Sequence, residues 1–182
     1  FGVDTATSYS DKVFGLAFGY MHAEINAHNA NRAENNIDGF QIMGYATKFL
    51  EDGVYAERMA SYAQSDNNTK RHDVGGVPGL TAKGDFTSRQ TALRGSVGRQ
   101  IAHDEYILTP AFSLDWLHYM ADDYTETGAG GAGLSVATKN LDSLEIGGGV
   151  KVEREIARKN GGIVIPEVHA GYYYDLIGDP LE

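Results

Sequence analysis

Over much of this chain the side chains change character at every second residue, and that alternation confines the fold to β-sheet. In residues 14–20, Phe14, Leu16, Phe18 and Tyr20 alternate with Gly15, Ala17 and Gly19. In residues 106–116, Tyr106, Leu108, Pro110, Phe112, Leu114 and Trp116 alternate with Ile107, Thr109, Ala111, Ser113 and Asp115. Residues 144–152 set Leu144, Ile146, Val150 and Val152 against Glu145, Gly147, Gly149 and Lys151. Residues 164–174 set Val164, Pro166, Val168, Ala170, Tyr172 and Tyr174 against Glu167, His169 and Gly171. Successive strand side chains point to opposite faces, so each segment has one apolar wall and one small or polar wall. Residues 38–50 and 54–64 are less clean, the latter placing Arg58 opposite Met59. In residues 86–102, Leu93, Val97 and Ile101 part from Arg94 and Ser96, while Arg99 falls on the apolar side and calls for an interface or a bulge.

Composition narrows the classes. The 23 glycines and 11 tyrosines, with only 4 prolines, favour strands and turns. A chain that is 42% hydrophobic is not a disordered one. It has no run of apolar residues long enough for a helical membrane span, yet strands that cross as a barrel alternate and look moderately polar. A mean hydropathy of −0.34 suits them. Without cysteine there is no disulfide and no thiolate metal site. A net charge of −10 argues against nucleic acid, whose phosphates need clustered cations; Lys70-Arg71-His72 is a small cluster in an expected loop. Phe1-Gly2-Val3-Asp4 has no signal-peptide pattern and reads as part of a strand, so the sequence is expected to be an internal portion of a longer protein.

The connections carry the most information. Turns are expected at Tyr9–Lys12, Asn26–Asn36, Glu51–Gly53, Ser65–Asp85, His103–Glu105, Ala121–Asn140 and Arg158–Gly161. They alternate short and long, as in an outer-membrane barrel with tight turns at one end and long loops at the other. The strands between them, about eight in number, exceed the ~9–11 residues that cross a bilayer at a tilt.

Hydrocarbon offers backbone amides no partner, so a spanning sheet must close on itself and acquire a lipid side and a lumen side. Phe14, Leu16, Phe18, Leu108, Phe112, Leu114, Trp116, Val150 and Val152 are expected to face lipid. Tyr20, Tyr106, Tyr172, Tyr173 and Tyr174 are expected in interfacial girdles. Arg58, Arg94, Asp115, Glu145, Lys151, Glu167 and His169 are expected to face the lumen, where opposite charges can pair. Gly15, Ala17, Gly19, Gly147 and Gly149 are expected to leave lumen space free. Alternation alone also fits a soluble β-barrel or sandwich with its apolar face inward; long strands and alternating loops weigh against that.

The order of motifs resembles the autotransporter translocator domain, the outer-membrane β-barrel of type V secretion. The matching stretches are Phe1-Gly2-Val3-Asp4, Val13-Phe14-Gly15-Leu16-Ala17-Phe18-Gly19-Tyr20 and Asn36-Ile37-Asp38-Gly39-Phe40-Gln41. They continue with Arg58, Leu108-Thr109-Pro110-Ala111 leading to Tyr119, Asp142-Ser143-Leu144, Pro166 and Tyr172-Tyr173-Tyr174-Asp175. The resemblance implies an all-β, antiparallel up-and-down transmembrane barrel of roughly twelve strands, of which residues 1–182 would supply about eight and be incomplete at both ends. It implies a Gram-negative outer-membrane location, a pore that helps export a passenger segment and then anchors it, and three partners: outer-membrane lipid, the passenger and the barrel-assembly machinery. No cofactor and no catalysis follow from it.

Other motifs read as structural. Gly128, Gly130 and Gly133 spell GxGxxG without the strand–turn–helix setting that binds a dinucleotide, and suit an outer loop. The six histidines lack metal-ligand spacing, and no GxSxG elbow accompanies the serines. His169 beside Glu167 reads as a solvated polar residue. The alternatives are another outer-membrane barrel, porin or adhesin, and a soluble β-barrel binding an apolar ligand.

Overall fold

A computed structural model describes residues 2–6, 11–27, 32–158 and 161–177. The strands are β1 (Gly2–Ala6), β2 (Lys12–Asn26), β3 (Ala33–Phe49), β4 (Val54–Arg71), β5 (Ala82–Arg99), β6 (Ile101–His103) and β7 (Tyr106–Ala121). They continue with β8 (Tyr124–Thr125), β9 (Ser135–Val136), β10 (Leu141–Arg154), β11 (Ile156–Ala157), β12 (Ile163–Val164) and β13 (Glu167–Asp175). One antiparallel meander runs β1-β2-β3-β4-β5-β7-β10-β13, and β6 prolongs the β5–β7 hairpin past Gln100. These are the long ribbons expected from the alternation, joined up and down in chain order. The sheet is open, with β1 and β13 at its edges.

The longest strands, β4 and β5, have 18 residues each. At about 3.3 Å per residue each reaches roughly 60 Å, well beyond a bilayer core of about 30 Å. The tight turns among the described residues lie at one end. There Asp52 and Gly53 take φ of 57° and 74°, the left-handed backbone that an Asp-Gly turn supplies. The Gln100 amide donates to the Gly53 carbonyl at 2.8 Å, tying this turn to the neighbouring β5–β7 hairpin. The tip of the expected Arg158–Gly161 turn lies outside the described residues; beside it β11 pairs with β12 and the Arg158 amide donates to Gly162 O at 2.7 Å.

At the other end the loops are shorter than expected. The segment Ser65–Asp85 is ribbon for most of its length: β4 and β5 stay paired from Ser65–Ser88 out to Arg71–Ala82, leaving 72–81 as loop. Ala33–Asn36 likewise belong to β3, paired with Asn68–Arg71. The expected turn at Tyr9–Lys12 falls largely outside the described residues, as does the tip of the β2–β3 connection. The segment 122–140 is a long connection as expected and carries the small β8–β9 hairpin.

An ordinary core is missing from the described residues. Their buried hydrophobic residues are Val74, Ala82 and Ala129, all at the long-loop end. The large apolar side chains lie in the open instead: Leu16 and Phe112 are both 67% exposed and Leu114 is 49% exposed. Gly15 and Gly147, on the other face, are buried.

Candidate functional site: a wall with two faces

Residues directly opposite in an antiparallel ladder project from the same face, so the register sorts the side chains. One row joins Leu16 to Gly44, Ala60, Leu93, Trp116 and Leu144. The row beside it joins Phe14, Ala46, Arg58, Gly95, Leu114, Ile146 and Tyr174. Phe18, Phe112, Val150, Leu108 and Val152 fall on this face by the same pairing. All nine residues expected to face lipid therefore share one apolar face.

The opposite face begins with Gly15, Tyr45, Met59, Arg94, Asp115, Glu145 and Asp175 in one row. Arg94 Nη1 lies 3.2 Å from Asp115 Oδ1, and the Ser113 hydroxyl donates to Asp115 Oδ2 at 2.9 Å. Lower on this face Lys151 stands opposite His169, and Glu153 opposite Glu167. Lys151 Nζ reaches Glu153 Oε2 at 2.6 Å, offsetting the repulsion of two facing carboxylates. Arg94, Asp115, Glu145, Lys151, Glu167 and His169 thus share one polar face, as a lumen-facing set must.

Arg58 does not join them. It pairs with Ala46 and Gly95 and stands on the apolar face. The strand around it has only Ala56 and Ala60 on that side, so its own alternation carried no stripe and its charge suggested the wrong wall. Tyr173 is likewise displaced from the expected girdle. It is opposite Gly147 on the polar face, whereas Tyr172 and Tyr174 are on the apolar one.

The space before Gly19 is open as expected, but backbone of Ala170 and Gly171 crowds Gly149, and the vacancies over Gly15 and Gly147 are filled. A Cβ on Gly15 would come within 2.1 Å of the Tyr45 ring, and one on Gly147 within 2.4 Å of Tyr173. Each tyrosine lies across its glycine partner, a contact that draws adjacent strands together and rewards curvature towards the polar face. No sequence signal marks it, because the partners are distant in the chain and meet only through the register.

At the long-loop end the 122–140 connection folds over the polar face. Tyr124 stacks on Phe86 at 4.8 Å between ring centroids. Arg71 clasps Glu126 with two bonds, Nε to Oε1 at 2.7 Å and Nη2 to Oε2 at 2.5 Å, and the Leu134 amide adds a third at 2.9 Å. The Arg71 hydrogen bonds hold the Glu126 carboxyl below its ordinary range although burial pushes it up. Asp123 is lowered as well, by the Thr138 amide and hydroxyl. Lys70-Arg71-His72 is therefore no basic patch: Arg71 is spent on Glu126, and His72 Nε2 stands 3.4 Å from Glu34. Gly128, Gly130 and Gly133 lie between β8 and β9, around a single 3-10 turn at Gly130–Ala132 rather than at the start of an α-helix. Among the described residues no group of His, Cys, Asp or Glu could hold a metal, and no helix is long and apolar enough to cross a membrane, which says nothing of strands.

A long-stranded antiparallel meander with large apolar side chains bare on one face and polar and small residues on the other defines the outer-membrane β-barrel class. The autotransporter beta-domain model matches residues 1–181, and the chain belongs to that family. The translocator domain of the autotransporter NalP from Neisseria meningitidis superposes with a TM-score of 0.78 at 19% identity, over 98% of this chain and 59% of that one. The beta domain of the Bordetella autotransporter BrkA gives 0.71 at 20% identity, over 96% of this chain and 69% of that one. In sequence the chain is 23% identical over 184 residues to outer membrane protein B of Rickettsia japonica, spanning 97% of this chain and 11% of that protein. Its place is the Gram-negative outer membrane, in a family of secretion domains.

Proposed function

We propose that the chain forms part of the wall of a translocation pore that helps a passenger segment cross the outer membrane and then anchors it. One observation carries the proposal: the large apolar side chains are exposed together on one face, while charges and small residues share the other. Exposed in water, that apolar face would drive aggregation; against lipid tails it is at equilibrium. Phe14, Leu16, Phe18, Leu108, Phe112, Leu114, Trp116, Val150 and Val152 then contact lipid. Arg94, Asp115, Glu145, Lys151, Glu167 and His169 line the lumen, where paired charges present a hydrated wall with little affinity for a passing polypeptide.

The unpaired edges of β1 and β13 are where further barrel strands would join, a step in which the barrel-assembly machinery is the natural partner. The role needs no cofactor and no chemical step. A soluble barrel would enclose its apolar face, and here that face is the open one.

Proteinase treatment of intact cells tests the orientation. Cuts are expected within 72–81 and 122–140 from outside and none at Glu51–Gly53; cleavage at the tight turn alone would overturn the arrangement.

A further inference from the structure

The apolar face is not uniformly apolar. On the side of the tight turns it carries Lys12 opposite Lys48, then Arg58, then Arg99 opposite Val54. At the other end the same face carries Asp38, Asp66, Asp85 and Asp142. The long-loop end of this face also carries Lys70 opposite Lys83, and Arg89 paired with Asp122 at 2.8 Å, so cations and acids are mixed there.

Just inside that rim a groove of about 960 Å³ crosses the strands. Its floor is made of small residues, Gly44, Ala46, Ala60 and Gly95, and Leu16 and Trp116 rise on its two sides. Arg58 stands in it, exposed, and among the described residues no hydrogen bond or ion pair engages its guanidinium. Lys48 is its diagonal neighbour on β3, about 7–8 Å away across the ladder. The nearest carboxylate in sequence, Glu57, is on the other face, where it accepts the Ser96 hydroxyl at 3.0 Å. Arg58 is four residues from the start of β4, roughly 13 Å along the strand. A side chain of its length can reach from that depth to the headgroup level.

We propose that Arg58 and Lys48 form a site for the phosphate of an anionic phospholipid, one of whose acyl chains occupies the groove beneath. Resting on the outward orientation of the apolar face, the inference adds a bound ligand to it. The complementarity is of charge and shape together. The two cations have no acidic partner on their own face, and the floor of small residues leaves open space where a Cβ at Gly95 would meet nothing within 4 Å.

The chain's single tryptophan, Trp116, lines the groove and reports on it. The whole membrane-assembled protein, with Trp116 as its only tryptophan, is titrated with brominated phosphatidylglycerol and with brominated phosphatidylcholine in mixed vesicles. Quenching is expected to favour phosphatidylglycerol by about fivefold for each cation engaged, to weaken with salt, and to lose that preference in Arg58→Gln and Lys48→Gln. The variants' unheated gel mobility shows that they remain folded. Equal quenching by the two lipids, or a preference that survives in the double variant, would overturn the site. Quenching by neither lipid would overturn the outward orientation itself.

Discussion

On the polar face, tyrosines from one strand lie over glycines of the next, and the contact is specific to the residue beneath. At Gly147 a Cβ would meet Tyr173 at 2.4 Å and the Ser113 hydroxyl at 2.8 Å, so a larger residue must expel the ring. Gly147→Val is expected to destabilise the assembled barrel by about 1–3 kcal/mol, the usual cost of overpacking. Gly95 lies on the other face with open space before it, and Gly95→Ala is expected to be nearly silent. Urea midpoints of the two variants in vesicles check the contrast. The same scale shows what a sequence conceals. Arg58 looks like a lumen residue because it is charged and because Ala56 and Ala60 leave its strand without an apolar stripe; only the pairing with Ala46 and Gly95 reveals its side. Tyr45 over Gly15 is equally invisible, since residues thirty positions apart acquire their relation from the ladder.

The strands were legible wherever a sheet with two unlike faces needs one apolar wall and one small or polar wall. Phe14–Tyr20, Tyr106–Trp116 and Leu144–Val152 alternate for that reason and became β2, β7 and β10. Where both faces carry polar residues the alternation lapses, and a ribbon such as Ser65–Arg71 reads as a loop although its hydrogen-bond ladder continues. The loop element over the mouth depends on a different bond, the clasp of Arg71 on Glu126. Because the folded carboxyl is held below its ordinary range, its contribution is fully present above the unfolded value of about 4.3 and is lost as pH falls through the lower folded one. Protease cuts within 122–140 are therefore expected to be slow at neutral pH and fast in acid. Arg71→Ala, which strands a buried carboxylate, is expected to open the loop at neutral pH by about 1.5–3 kcal/mol and to abolish most of the pH dependence.

Across the whole sheet the apolar band does not follow the rows of the ladder. The row that is apolar at Phe18 and Ile42 turns polar at Thr91, His118 and Asp142, while the row that is basic at Lys12 and Lys48 turns apolar at Val97 and Phe112. A flat slab crossing tilted strands must cut the rows obliquely in this way, and a barrel requires that tilt. The depth of a substitution and the face it points from should then decide its cost jointly. Leu16 and Ala17 are neighbours on β2, near the middle of its apolar stretch, and project from opposite faces. With the apolar face outward as proposed, Leu16→Arg places a guanidinium among lipid tails and is expected to cost about 2–4 kcal/mol, whereas Ala17→Arg, at the same depth on the lumen side, is expected to cost under about 1 kcal/mol. Reversible urea unfolding from vesicles measures both. An apolar face turned to water would give the opposite order, with Leu16→Arg neutral or favourable, because a charge there would gain solvent rather than lose it.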